Sequence, residues 1–194
     1  MIKSTKLLAL TLLAALALAG CKKKDDGHDL GHGHDHNEEE LITTVKALFM
    51  HATTGDTVEF SWEDLDGDGG NAPVITGGTV QMGAAYAMRL LLLNESVTPS
   101  DTISNEVAQE AEAHQFFFST TGGSLGWEGY LDADANGLPI GLLTQWSTGV
   151  PGTGNITIIL RHEPSKSAAG VSAGDITNAG GETDIEVTIP YTVL

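Results

Sequence analysis

Histidine is the residue in this sequence best suited to chemistry, and four of its seven copies fall in one short stretch: His28, His32, His34 and His36. Neutral imidazole nitrogens suit zinc, which takes four nitrogen, sulfur or oxygen ligands in a tetrahedron, and they also suit copper(II) and nickel(II). His32, His34 and His36 alternate with Gly33 and Asp35, and Gly27, Gly31 and Gly33 let the backbone curl until several rings reach one ion. Asp29, Asp35 and Glu38 to Glu40 add oxygen donors and raise the local cation concentration. The expectation is a divalent transition-metal site, zinc foremost, of modest affinity because the tract loses chain entropy on binding. The competing reading is a hydrophilic spacer whose histidines are merely solvated.

Three other constellations carry weaker signals. Glu110 and His114 stand four apart, as on one helix face, and Arg161-His162-Glu163 ends a strand-like run. If that helix packs beside the strand end, Glu110, His114 and His162 form a structured metal site; the alternative is that each histidine is a hydrogen-bonded rim or core residue. His51 has no partner that spacing suggests. Asp64-Leu65-Asp66-Gly67-Asp68-Gly69 and Asp132-Ala133-Asp134-Ala135-Asn136-Gly137 both match the opening of a calcium loop, in which alternate side-chain oxygens (Asp64, Asp66, Asp68; Asp132, Asp134, Asn136) converge around a glycine turn. The twelfth position, a bidentate Glu in an EF-hand, is Ile75 in one and Leu143 in the other, which excludes that motif. Asp, Asn and Gly are also ordinary turn residues, so tight turns and calcium loops both remain open.

Catalytic chemistry finds no setting. No G-x-S-x-G or other nucleophile motif surrounds a serine, and acids are too frequent to read as a glycosidase pair. The single cysteine, Cys21, excludes disulfide scaffolds, CxxC zinc sites and dithiol redox chemistry. With 26 acidic against 9 basic residues and a formal charge of -17, the chain cannot neutralise phosphates, so nucleic acid is excluded as a partner. The protein reads as a non-enzyme.

The elements that must position these residues begin with a targeting segment, residues 1–20. Lys3 and Lys6 precede an apolar run from Leu7 to Ala19, broken only by Thr11 and too short for a permanent span. It ends in Leu18-Ala19-Gly20-Cys21, which resembles the bacterial lipobox, so Cys21 is expected to be lipidated and to become the mature N-terminus. Cleavage removes two lysines and no acid, leaving 7 basic against 26 acidic residues. Such a surface repels anionic headgroups, so the membrane partner is reached through the acyl chains on Cys21 and the adjacent Lys22 to Lys24. A lysine and two acids behind the cysteine also resemble the surface-export signal of Bacteroidetes-type lipoproteins, placing the protein on the outer face of the outer membrane; a periplasm-facing anchor is the alternative.

Residues 21–40 hold one apolar side chain beyond the cysteine, Leu30, and read as a disordered tether. From residue 41 to 194 the pattern is strand-like. Leu41 to Met50, Thr57 to Trp62, Thr79 to Leu93, Gln115 to Thr120, Gly126 to Leu131, Gly141 to Ser147, Asn155 to His162 and Thr183 to Val193 are rich in Val, Ile, Thr and aromatics and are separated by Gly, Asp, Asn and Pro clusters. Ile185, Val187, Ile189 and Tyr191 alternate with polar residues, so one face points inward. The fold class is all-β: an antiparallel immunoglobulin-like or Greek-key β-sandwich with one short inserted helix, expected from Ser100 or Asp101 through Glu106, Glu110 and His114.

The GCKKKDD start, the histidine tract followed by EEELITTV, then DGDGGNAP, LLNES, HQFFF and LRHEPSKSAAGVSAGDITNAGGETDIEV resemble, over nearly the whole chain, a family of small Bacteroidetes lipoproteins labelled "type 1 periplasmic binding fold superfamily". The resemblance implies a cell-envelope lipoprotein acting beside an outer-membrane metal importer, and carries over no catalytic residue. The strand pattern points to a sandwich rather than to the two α/β lobes of a type 1 binding protein. Two functions follow from the sequence: a metal-capturing module anchored at Cys21, or a structural or adhesive surface domain stiffened by calcium.

Overall fold

A computed structural model describes residues 41–194, Asp68 excepted. The alternation read in the last strand is realised there: Val187, Ile189, Tyr191 and Val193 are buried while Glu186, Thr188 and Pro190 are exposed. The chain order is β1 (Thr44–His51), β2 (Thr57–Glu63), β3 (Val74–Thr76), β4 (Gly78–Val80), β5 (Ala85–Leu93), α1 (Ile103–Gln109), β6 (His114–Gly122), β7 (Leu125–Tyr130), β8 (Leu143–Thr148), β9 (Gly152–His162) and β10 (Glu182–Val193). Two single-turn 3-10 helices, Val171–Ala173 and Ile176–Asn178, lie between β9 and β10.

The strands form an all-β sandwich. One sheet has the order β3-β2-β1-β5-β8-β7, the other β4-β10-β9-β6. Every pairing is antiparallel except β4 with β10, which is parallel. The core lies between the sheets: Phe49, Phe60, Met88, Leu90 and Trp146 from the first meet Phe116, Ile156, Ile158, Leu160 and Ile189 from the second. Phe49 stacks on Phe60 at 4.5 Å and meets Trp146 edge-on, and Trp146 in turn meets Phe118 edge-on across the sandwich at 5.6 Å. The chain changes sheets between β3 and β4 at Gly77-Gly78, where a Cβ on Gly78 would lie 1.8 Å from the Phe60 ring.

Two expected elements end earlier than their residue patterns suggest. The run from Thr79 to Leu93 breaks into β4 and β5 at Gly83, which has φ of 64°. The helix expected to reach His114 ends at Gln109, a turn closed by Ala113 N–H to Glu110 O follows, and His114 opens β6. Strand pairing wins there, because His114, Phe116 and Phe118 take alternate core-facing places opposite β9.

Candidate metal centre

The core-facing column of β9 runs Ile156, Ile158, Leu160, His162, and that of β6 runs Phe118, Phe116, His114. The two histidines therefore close one end of the core, directly opposite each other in the ladder. Their rings stack with centroids 4.8 Å apart and 9° between planes. The third member comes from β10. Thr183 pairs with Arg161 and Ile185 with Leu160, so Asp184 is the extra residue of a β-bulge. Simple alternation would turn Asp184 outward; the bulge re-aims its carboxylate into the sandwich beside both rings.

All three side chains are enclosed: 1% exposed for His114, 8% for His162 and 0% for Asp184. Asp184 Oδ2 lies 3.6 Å from His114 Nε2, and Oδ1 lies 3.9 Å from His162 Nδ1. Both distances exceed those of a hydrogen bond. The donor atoms of the three residues all lie within 4.8 Å of one another, the only such convergence of three or more His, Cys, Asp or Glu side chains among the described residues. In a zinc tetrahedron with bonds of about 2.1 Å the ligand atoms stand about 3.4 Å apart. The observed separations, 3.6 and 3.9 Å with all donor atoms within 4.8 Å, are wider than that, and the rings would have to open from their parallel stack to aim both lone pairs at one ion.

Protonation favours the same reading. His114 Nδ1 lies 3.1 Å from Glu110 O, and a carbonyl only accepts, so Nδ1 carries the proton and Nε2 is the bare nitrogen of the neutral ring. Burial lowers the His114 pKa from 6.5, and the nearby His162 and Lys166 push the same way against the Glu110 carbonyl. His114 Nε2 makes no hydrogen bond. A neutral imidazole with a bare nitrogen beside a carboxylate presents the donor types that zinc takes.

Of the trio named from the sequence, the structure brings two members together and sets a different acid beside them. His114 and His162 come together, and Glu110 meets His114 through its main-chain oxygen while its carboxylate is not among the converging donor atoms. Asp184 takes its place. No spacing rule marks Asp184, and the only local signal is the Gly180-Gly181 pair with positive φ that leads into β10.

The two acidic loops are built as turns. Asp64 Oδ1 accepts from Gly67 N–H, and Asp66 Oδ2 accepts from Asn71 N–H and its side-chain amide. Asp132 accepts from Gly141 and Leu143 N–H through separate oxygens, and Asp134 Oδ1 accepts from Asn136 and Leu138 N–H. The other oxygen of Asp134 lies 2.9 Å from the Lys166 ammonium, a pair 1% and 2% exposed, and that ammonium also donates to Ala111 O. A cation at Asp134 would have to displace Lys166. His51 ends β1 and caps the turn that follows, its Nδ1 accepting from Thr53 and Thr54 N–H. Cys21, His28, His32, His34, His36 and Asp68 lie outside the described residues. No helix among the described residues is long and apolar enough to cross a membrane. No protein-family model, curated protein or solved structure matches this chain.

Proposed function

We propose that this protein is a non-enzymatic, lipid-anchored module of the cell envelope that binds a divalent transition metal, zinc first. His114, His162 and Asp184 form the ordered site, and the tract His28, His32, His34 and His36 collects the same ions on the tether for an outer-membrane importer. The observation that carries the reading is the enclosed pair of imidazoles whose nitrogens flank one carboxylate at 3.6 and 3.9 Å. The lipobox-like Leu18-Ala19-Gly20-Cys21 supports the anchor, and the crowding of histidine among acids supports the collecting tract.

Zinc titration followed by calorimetry and native mass spectrometry tests it. Wild type should bind ions in both places, the quadruple tract variant (His28, His32, His34 and His36 all to Ala) should retain one tight ion, and Asp184→Asn added to that variant should abolish it. Uptake by the tract should be strong at about pH 7.5 and mostly lost at about pH 5.5, as imidazoles titrating near 6.5 take up protons. Binding no tighter than micromolar in wild type would overturn the reading and leave a structural or adhesive surface domain, calcium-bound or not, in its place.

A further inference from the structure

We infer that the ion at His114, His162 and Asp184 is a resident staple that docks the segment Glu163–Gly181 onto the sandwich, and is not the ion handed on. The inference rests on the metal reading above and goes on to assign the ion a structural role.

The first observation is where the ligands fall along the chain. His162 is the last residue of β9 and Asp184 the third of β10, so the two bracket the whole excursion between those strands. An ion joining them closes that loop at its base and removes the entropy of holding its ends together. His114, on a third strand, fixes the closed base to β6.

A second observation is the enclosure. Catalytic and exchanging sites keep a position open to solvent, whereas structural sites are closed by protein. With exposures of 1%, 8% and 0%, this site admits or releases an ion only if its surroundings move. The adjoining element outside the strand ladders is the segment itself. Its own apolar anchorage is small: Val171 and Ala179 are buried against Phe117, with Ile159, Ala168 and Ile176 partly buried around them.

Further out, Gln115 Nε2 donates to Val171 O at 2.8 Å, and most of the other attachments lie at the base. Arg161 donates to Gly180 O and Gly181 O, and Glu163 N–H donates to Ala113 O. The backbone there is tight: Glu163 has φ of 50°, and a Cβ on Gly181 would lie 2.1 Å from His162 O. Lys166, bound to Asp134 and Ala111 O, pins the segment at one more point. A base this crowded, with few apolar contacts further out, is the arrangement in which one bound ion decides between docked and open.

Hydrogen exchange on the full chain, with zinc chloride or with EDTA, reads the docking directly. The quadruple tract variant isolates the buried site. In it, zinc at about a hundred times Kd should slow amide exchange in residues 163–181 by up to about a hundredfold, leaving the centres of β1 and β5 unchanged, and EDTA should reverse the effect. Asp184→Asn in the same background should exchange at the EDTA rate with or without zinc. Stripping and reloading the otherwise unsubstituted segment covers the case in which Asp184→Asn fails to fold. If the tract variant binds one zinc yet residues 163–181 exchange at the same rate, the staple is wrong and the metal reading stands. If the tract variant binds no zinc, the buried site and the staple are both wrong, and metal capture rests on the tract alone.

Discussion

His114 and Lys166 are buried residues whose ionisation the fold constrains. Burial lowers the His114 pKa below its ordinary 6.5, with the His162 and Lys166 charges acting in the same direction. In that interval the unfolded chain binds the proton and the folded chain does not, so stability of the metal-free protein should fall as pH drops below 6.5 and level off below the folded-state value. Urea midpoints measured in EDTA across that range check it, and zinc should steepen the loss because protons then compete with the ion. At Asp134, burial pushes the carboxyl up, but the Lys166 ammonium and the N–H groups of Leu138 and Asn136 outweigh it and hold the pKa below 3.8. That stabilisation is present above 3.8 and is lost as pH falls through the folded-state value. Lys166→Met leaves the carboxylate buried without its cation and should cost about 3 kcal/mol at neutral pH. The deficit against wild type, from urea unfolding at neutral and strongly acidic pH, should shrink as Asp134 protonates.

Among the elements, the acidic turns and the sheet crossover yield separate expectations. The described carboxylates of both loops already accept main-chain N–H groups, and Asp134 holds an ammonium as well. Calcium has to break those contacts to gain its oxygens, so millimolar calcium should leave the melting curve unchanged. A rise in Tm would restore the calcium reading, with Asp64 and Asp66 its place. At the crossover from β3 to β4, Gly78→Ala drives a methyl into the Phe60 ring, which is wholly buried and stacked on Phe49. An overpacked core of this kind should lose about 1–3 kcal/mol in urea unfolding, while zinc binding at the far-removed sequence positions 114, 162 and 184 persists.

For the whole molecule, the proposed anchor rests on one residue and the charge on many. Cys21 is the only thiol, so Cys21→Ala should abolish acylation and leave the signal segment uncleaved. Mass spectrometry of membrane-extracted wild type should show the acyl groups; wild type found wholly soluble and unlipidated would remove the anchor and the surface placement together. The formal charge of -17 draws divalent cations toward the protein, an attraction that salt screens within about 8 Å at physiological ionic strength. It concentrates ions without selecting among them. Selection belongs to imidazole nitrogens, which is why replacing histidines should remove zinc binding while leaving the net charge of the neutral-His protein unaltered.

The sequence by itself determined what period and composition encode. Alternation in β10, the Val, Ile, Thr and aromatic runs, and Gly-Asp-Asn punctuation made the all-β sandwich legible, with most strand limits within a few residues of those observed. His162 could be seen at the end of its strand, and His114 and Glu110 could be named together. Only the tertiary structure decided that His114 begins a strand, since ladder pairing with β9 outweighs four-residue helical spacing. It alone brought in Asp184. A period of two assigns that residue to the outer face, and the bulge that reverses the assignment arises from pairing with Arg161 and Leu160, partners on another strand. The parallel contact of β4 with β10 was hidden for the same reason: a three-residue strand carries no periodic signal, and its place is set by the sheet it meets.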